Sequence, residues 1–298
     1  MNNVQANYLI ALCGIFRDNY TPLNREEFWQ LYHQYNSSLE ALVNSGQEHI
    51  EKLLARSGAI TFAIEDLAHK GIRIVTFLDD NFPAKLREKL GDFCPPLLYA
   101  CGDHALNQRP SIGYVGARAA NAADLAWTKA MVQKNVQTGY GIVTGGAKGV
   151  DTAALMACLE ASGQCILYIP ENLKAKIQDP YLRDHLLAGQ LLIYTQSSPF
   201  AKTNRHTFTV AALERNRFIY ATSNGTVVVH SALGQGGTWA GASDCLKHNW
   251  SKVYVWHRPE YPGNQKLIEL GGLALSDEGK IVKNPTKPPE TTQQMSLV

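Results

Sequence analysis

Three glycine-rich loops, each directly following a short apolar run, hold the residues whose types and spacing best suit chemistry. They occupy residues 115–118 (VGAR), 144–151 (TGGAKGVD) and 234–238 (GQGGT), and we name them the first, second and third glycine loops. Clustered glycines leave backbone N–H groups free to point at an anion, and a helix that starts at the loop adds the positive end of its dipole. The three loops therefore predict anion binding, with phosphate as the natural ligand.

The second glycine loop gives the strongest signal. It places Gly145, Gly146, Lys148 and Gly149 within five residues. This spacing matches neither G-x-G-x-x-G nor G-x-x-x-x-G-K-[ST], so it predicts neither a dinucleotide site nor a Walker-type nucleotide site. A tight strand-to-helix turn in which Asp151 caps the helix is the alternative interpretation.

The other two glycine loops add a cation and a second helix start. In the first loop, Gly116 permits a sharp turn, and Arg118 offers a guanidinium that can bind a phosphate through two hydrogen bonds. In the third loop, Gly236, Gly237 and Thr238 open a predicted helix. The alternatives are a solvated arginine and an ordinary helix start.

A basic cluster precedes the apolar run FIYA. Arg215 and Arg217 flank Asn216, a combination that suits phosphate and base-edge contacts, although an exposed helix end is the alternative. Three further basic residues lie nearby in the sequence and would extend the same patch: Lys202, Arg205 and His206. His230, after another apolar run, could reach the crevice, but we interpret it as a strand-end histidine satisfied by its neighbours.

Short apolar runs alternate with helical patterns from about residue 71 onwards, which predicts an α/β fold with a parallel sheet covered on both faces. Helical patterns span 121–138, 150–162 and 238–248. The predicted strands are 73–77, 111–115, 141–145, 165–169, 190–194, 226–230 and 252–256. Ligands of such sheets bind beyond the carboxyl ends of the strands, which is where the three glycine loops fall.

The N-terminal part of the chain has a helical pattern over residues 5–70. Asn24 with Glu27, and Ser37 with Glu40, each fit a helix cap answered by an acidic residue three positions later. We therefore divide the chain into a helical domain at 1–70, a Rossmann-like domain at 71–282 and a disordered polar tail at 283–298.

Composition and charge narrow the function classes. The chain has 298 residues and a net charge of only +2, which does not indicate wholesale coating of nucleic acid. Residues 1–70 carry five Lys/Arg against eight Asp/Glu, a net of −3, so the remaining residues carry +5 and should hold any anion-binding face. The six cysteines show no zinc spacing, and no long apolar stretch is present. We predict a cytoplasmic protein without membrane segment, metal or cofactor.

The loops together resemble the DNA-processing protein A (DprA/Smf) family, whose motifs occur here in the family's order. The motifs are Phe82-Pro83, 95–99 followed by Gly102, V-G-x-R at 115–118, S-G-x-A-x-G-[IV]-D at 144–151, R-N-R at 215–217, the glycine-threonine helix start at 236–238, and G-N-x-x-L-I at Gly263, Asn264, Leu267 and Ile268. This chain departs from the family pattern at Thr144, where serine is usual, and at Thr195-Gln196, where Ser-Glu is usual. The histidine that commonly follows the motif aspartate is also missing after Asp151.

The resemblance implies an extended Rossmann fold that binds single-stranded DNA without strong sequence preference, usually as a homodimer. It also implies a helical N-terminal domain of the SAM/helix-hairpin-helix type, and transfer of the DNA to the RecA recombinase during natural transformation. We expect no C-terminal winged-helix module. By carry-over the DNA-binding residues are Gly116, Arg118, Gly145, Gly146, Lys148, Gly149, Arg215, Asn216, Arg217, Gly236, Gly237 and Thr238.

Three other functions stay open. Divergent members of the family act with partner proteins in toxin–antitoxin pairs or phage defence. The crevice could instead bind a nucleotide or a protein partner. The same superfamily also contains the lysine-decarboxylase-like (LOG) phosphoribohydrolases, whose helix start carries a glutamate one turn after the glycine-threonine step. Residues 236–241 lack that glutamate, and no other acid–base pair is evident, so we predict a binding protein rather than an enzyme.

Overall fold

The computed structural model describes the backbone of residues 3–201 and 205–282, and the side chains of residues 4–201 and 208–282. The predicted tail at 283–298 and Lys202 lie outside the described residues, as do the side chains of Arg205 and His206.

The described chain contains thirteen α-helices and nine strands. The helices are α1 (Asn3–Cys13), α2 (Arg25–Gln34), α3 (Leu39–Val43), α4 (Glu48–Ala55), α5 (Ser57–His69), α6 (Ala84–Leu90), α7 (Ala122–Gln137), α8 (Val150–Glu160), α9 (Leu173–Gln178), α10 (Pro180–Leu187), α11 (Arg205–Thr222), α12 (Gly236–His248) and α13 (Pro262–Glu269). The strands are β1 (Arg73–Thr76), β2 (Leu97–Gly102), β3 (Ser111–Val115), β4 (Gly141–Thr144), β5 (Cys165–Tyr168), β6 (Leu191–Thr195), β7 (Gly225–Val228), β8 (Lys252–Trp256) and β9 (Leu273–Leu275).

All nine strands form one sheet in the order β1-β2-β6-β5-β4-β3-β7-β8-β9. The seven strands from β6 to β9 are parallel, whereas β2 pairs antiparallel with both β1 and β6. The predicted α/β class is confirmed. The sequence patterns missed β2, which directly follows two prolines, and the three-residue β9, which directly follows two glycines.

The sheet is covered on both faces, which explains why its central strands are apolar at almost every position. One face packs against α11, α12 and the N-terminal helices, and the other packs against α7 and α8. Every residue of β4 and β5 is buried. No helix in the described residues is both long and apolar enough to cross a lipid bilayer.

The N-terminal helices share a core with the sheet. Phe28 of α2 is fully buried and contacts Phe77, just after β1, with ring centroids 6.0 Å apart. The predicted cap at Asn24 is confirmed, including the reciprocal bond from Glu27. The predicted cap at Ser37 is wrong. Ser38 caps α3 instead, because Ser37 has a φ of +56°, outside the extended region that an N-cap residue adopts. The domain division at 70/71 stays a prediction.

The connections create a switch in strand order next to β3. From β3 the chain proceeds outward through β4, β5 and β6, and α11 then carries it back to β7 on the other side of β3. Because β3, β4 and β7 are parallel neighbours, their carboxyl ends meet at one edge of the sheet. Open α/β sheets bind ligands at such a point, and all three glycine loops lie there.

Candidate functional site

The first and second glycine loops are in direct contact. Gly149 has a φ of +91°, a backbone conformation that favours glycine. A Cβ atom at this position would lie 2.3 Å from the carbonyl oxygen of Ala117 and 2.9 Å from that of Arg118. Gly149 therefore allows the loop that carries Arg118 to lie directly against the start of α8.

A buried ion pair fixes these two loops to α11. Nη1 of Arg215 donates to Oδ2 of Asp151 over 3.0 Å, and both side chains are almost fully buried. The backbone amides of Ala147 and Gly116 also lie within hydrogen-bonding reach of the Asp151 carboxylate. Burial raises the pKa of Asp151, while Arg215 and the two amides oppose that shift. One carboxylate thus links both loops and a helix from the other side of the sheet.

Asp151 is the second residue of α8 rather than its N-cap, which is Gly149. The capping interpretation is therefore replaced by a central role in the loop contacts. The guanidinium of Arg215 lies against Gly145, where a Cβ atom would be 1.0 Å from Nη1. Only glycine leaves room for this arginine. Gly146 is half-buried beside Leu167 and has a φ of +64°.

The third glycine loop is linked to α11 through Asn216. Nδ2 of Asn216 donates to the carbonyl oxygen of Gly237 over 2.9 Å. Gly236 is exposed, whereas Gly237 and Thr238 are half-buried in the first turn of α12. The asparagine of the basic cluster therefore holds the start of α12 and does not point freely into solvent.

Arg217 lies on the other side of α11. Residues two positions apart on a helix project about 200° apart, so the side chains of Arg215 and Arg217 diverge. Nε and Nη2 of Arg217 donate to Asp244 over 3.3 and 3.2 Å, and its guanidinium lies 4.7 Å from the ring centroid of Phe93. The two arginines of the basic cluster therefore have different partners, Asp151 for Arg215 and Asp244 for Arg217. DNA contact by Arg217 itself stays a prediction.

Arg118 and Lys148 are the exposed cations of the first and second loops. Neither forms an ion pair with any side chain that the structure describes. The buried Asp151–Arg215 pair leaves little net charge beneath them. The contacting loops therefore present two free positive charges beside the N-terminus of α8.

A second buried carboxylate lies at the same edge, and sequence reasoning missed it. Asp124, in the first turn of α7, is fully buried. Its Oδ2 accepts from the backbone N–H of Asn121 over 2.9 Å and pairs with Nδ1 of His230 at 3.0 Å. Its Oδ1 accepts from the hydroxyl of Tyr261 over 2.7 Å. Burial raises the pKa of Tyr261, so its phenol stays protonated and donates.

The sequence carried only part of this signal. An aspartate three residues after Asn121 fits a capping box, which the structure contains, but such a box is usually a local helix feature. Tyr261 lies 137 residues from Asp124 in the chain, so no spacing rule connects them.

Comparison with known proteins agrees with this fold and with these motifs. The family model of DNA recombination-mediator protein A matches residues 73–285. Protein Smf of Synechocystis is 27% identical over 266 residues, which cover 79% of this chain and 64% of that protein. The DNA processing protein DprA of Streptococcus pneumoniae is 29% identical over 168 residues, covering 54% of this chain and 55% of that protein. The chain thus spans roughly half to two thirds of these curated relatives.

Two solved structures share the fold. The crystal structure of DprA from S. pneumoniae matches with a TM-score of 0.69 and 21% identity, covering 91% of this chain and 95% of that chain. DprA from Helicobacter pylori, described for its single-stranded DNA binding mode, matches with a TM-score of 0.54 and 23% identity, covering 68% and 90%. The resemblance inferred from the motifs is confirmed by the family match over most of the sheet-containing region. This chain belongs to the DNA recombination-mediator protein A family.

Proposed function

We propose that this protein binds single-stranded DNA through its phosphates at the carboxyl ends of β3, β4 and β7. The observation that carries the proposal is the pair of exposed, unpaired cations, Arg118 and Lys148, on two loops in direct contact. The related protein from H. pylori, described as binding single-stranded DNA, supports this choice of ligand.

The site offers three kinds of group to a phosphate chain. The Arg118 guanidinium matches a phosphate in geometry, and the Lys148 ammonium adds a mobile point charge. Backbone N–H groups of the second glycine loop lie beside the start of α8, where the helix dipole favours an anion. Such contacts do not read bases, so they favour binding without strong sequence preference.

Arg215 and Asn216 take a different role in this proposal. Arg215 is 4% exposed and already paired with Asp151, so it supports the loops from below. Asn216 in turn holds the third glycine loop. Gly145 leaves room for the Arg215 guanidinium, Gly237 and its neighbours provide the close backbone approach, and direct charge comes from the exposed cations.

We propose a binding protein rather than an enzyme. The first turn of α12, where a phosphoribohydrolase would carry its glutamate, contains no acidic residue. Incubation with nucleoside monophosphates should release no free base. Steady release that persists through purification would overturn this part of the proposal.

Family membership supports the wider setting, which stays a proposal. It comprises a cytoplasmic homodimer that hands single-stranded DNA to RecA, or alternatively a defence role with a protein partner. Sedimentation measurements would test the dimer. Affinity capture with RecA as a candidate partner would separate the two roles.

Substitution of Arg118 by alanine tests the site directly. We expect affinity for labelled oligo-dT, measured by fluorescence anisotropy, to fall several-fold, because one phosphate contact is lost. The slope of log affinity against log salt should become shallower by about 1, or slightly less for a single strand. The wild-type protein should bind oligo-dT more tightly than duplex.

Arg109 provides a matched control. It is an exposed arginine two residues before β3, at the opposite edge of the sheet, and it forms no ion pair with described side chains. Arg109→Ala should leave affinity and salt slope unchanged. Equal losses in both variants would mean that binding follows overall charge and not this site, and the proposal would fail.

A further inference from the structure

We propose that His230 is an additional phosphate ligand of this site and that its protonation makes DNA binding dependent on pH. The proposal deepens the proposed function and rests on it for the identity of the ligand. Its basis is an imidazole fixed on one side by a buried carboxylate and left unpartnered on the other.

The fold brings His230 beside the first glycine loop. Val228 pairs with Val115 in the parallel β7–β3 ladder, and the N–H of Val229 donates to the carbonyl of Val115 over 3.0 Å. His230 is the next residue, two positions beyond the last ladder pair of β7. It therefore lies at the switch in strand order, next to the loop that carries Arg118.

Two contacts hold the imidazole in one orientation. Nδ1 pairs with Oδ2 of Asp124 at 3.0 Å. The ring stacks on Tyr261 with centroids 3.9 Å apart and planes inclined by 2°. Nε2 has no hydrogen-bond partner among the described side chains and backbone, and 27% of the side chain is exposed. The second ring nitrogen is therefore oriented and available to a ligand.

His230 is the group beside Asp124 that can carry a compensating positive charge. Asp124 is fully buried, and His230 is its only ion-pairing partner among the described residues. The other donors to its carboxylate, Asn121 and Tyr261, are neutral. A buried carboxylate without a compensating cation is costly, and a proton on His230 would supply that cation.

Protonation decides what Nε2 offers to a ligand. An imidazolium donates from both nitrogens, so Nδ1–H binds Asp124 while Nε2–H can bind a phosphate oxygen. A neutral imidazole that still donates to Asp124 from Nδ1 exposes the lone pair of Nε2. An ionised phosphate oxygen is also an acceptor, so no hydrogen bond forms between the two atoms. The same ring is thus a ligand at lower pH and an obstacle at higher pH.

The charged groups near this segment do not change their charge with pH as a histidine does. Glu260, in the segment before α13, pairs with Arg258 through bonds of 2.6 and 2.8 Å. A backbone hydrogen bond and Arg258 lower the pKa of Glu260, which favours its ionised form. Arg258 and Arg118 stay charged throughout the same range. Asp124 and Tyr261 are the described titratable groups in direct contact with the ring.

The test measures oligo-dT affinity by fluorescence anisotropy from pH 5.5 to 8.0 at constant ionic strength in phosphate-free buffer. We expect the wild-type affinity to rise about tenfold towards low pH, the contribution of one charge-assisted hydrogen bond. His230→Gln, which cannot become charged, should abolish most of that rise. His248→Gln is the matched control, because His248 is exposed at the far end of α12 and should leave the pH response intact.

The outcomes separate this inference from the proposed function. If the wild type and His230→Gln bind oligo-dT with the same pH response, His230 is not a ligand, although the DNA site stands. If the wild type binds no oligo-dT at any pH, the proposed function fails. NMR of the His230 ring in the presence of inorganic phosphate then decides alone. Perturbation of its resonances at pH 6 but not at pH 8 supports an anion site, and unperturbed resonances overturn it.

Discussion

Two buried carboxylates lie on either side of the first glycine loop, and they differ in the basic side chain that pairs with them. Asp151, in the first turn of α8, pairs with Arg215, which is 4% exposed. Asp124, in the first turn of α7, pairs with His230, which is 27% exposed. Asp124 also accepts from the backbone N–H of Asn121, and Asp151 lies within hydrogen-bonding reach of the amides of Ala147 and Gly116.

The difference separates a pair that supports the loops from a pair that responds to pH. An arginine keeps its charge at every accessible pH, so the Asp151 pair is constant and holds the loops in place. A histidine gains and loses its proton near neutral pH, and Nε2 of His230 has no hydrogen-bond partner among the described residues. A buried carboxylate at a helix start thus has two roles. Asp151 holds the loops together through Arg215, and Asp124 orients His230 as a pH-dependent ligand.

The largest effect is expected from Arg215→Ala. The substitution leaves Asp151 buried without a cation and opens a space beneath Gly145. Breaking a buried pair in this way costs about 3–5 kcal/mol. The free energy of unfolding, measured by urea denaturation, should fall by that amount.

Arg217→Ala is the matched control on the same helix. Its pair with Asp244 is partly exposed, at 27% and 37% for the two side chains, so the loss should stay below about 1 kcal/mol. If the two variants lose equal stability, the Asp151 pair contributes no more than a surface pair. The claim that it holds the loops in place would then be wrong.

A smaller effect is expected from Gly149→Ala. The added methyl group would meet the carbonyls of Ala117 and Arg118, and the positive φ disfavours alanine, at a cost of about 1–3 kcal/mol. Because this change separates the first two loops, oligo-dT affinity should fall as it does in Arg118→Ala.

Gly58 supplies the control for this variant. It lies in α5, where an added methyl group would meet nothing within 4 Å, so Gly58→Ala should be neutral or stabilising by up to about 1 kcal/mol. Normal DNA affinity in a folded Gly149→Ala protein would mean that contact between the loops is not needed for binding.

Local patterns predicted the sheet better than the site. The runs at 111–115 and 252–256 are strands with the same bounds in the structure, because buried parallel strands are apolar at almost every position. β2 was missed since its apolar run follows Pro95-Pro96 and pairs antiparallel at a place where the alternation of strands and helices is interrupted.

The site could be predicted only as a set of loops. Their position follows from strand ends, but the partners of their side chains are set by distant parts of the chain. Arg215 lies 64 residues from Asp151 in the chain. Its sequence neighbours therefore predicted a basic patch, whereas the structure contains a buried ion pair. His230 was correctly expected at a strand end, yet its carboxylate partner is 106 residues away.

The smallest effect is expected from Tyr261→Phe, which removes one neutral donor from Asp124 while keeping an aromatic ring against His230. Loss of this hydrogen bond should lower the free energy of unfolding by about 1–2 kcal/mol. Tyr140→Phe, at a tyrosine that is 38% exposed, should change the free energy of unfolding little and serves as the control.

The pH response of oligo-dT binding should survive in Tyr261→Phe, because the Asp124–His230 pair is intact. If that response disappears as it does in His230→Gln, the hydroxyl network and not the ion pair orients the imidazole. In that case the two carboxylates differ in more than their cations.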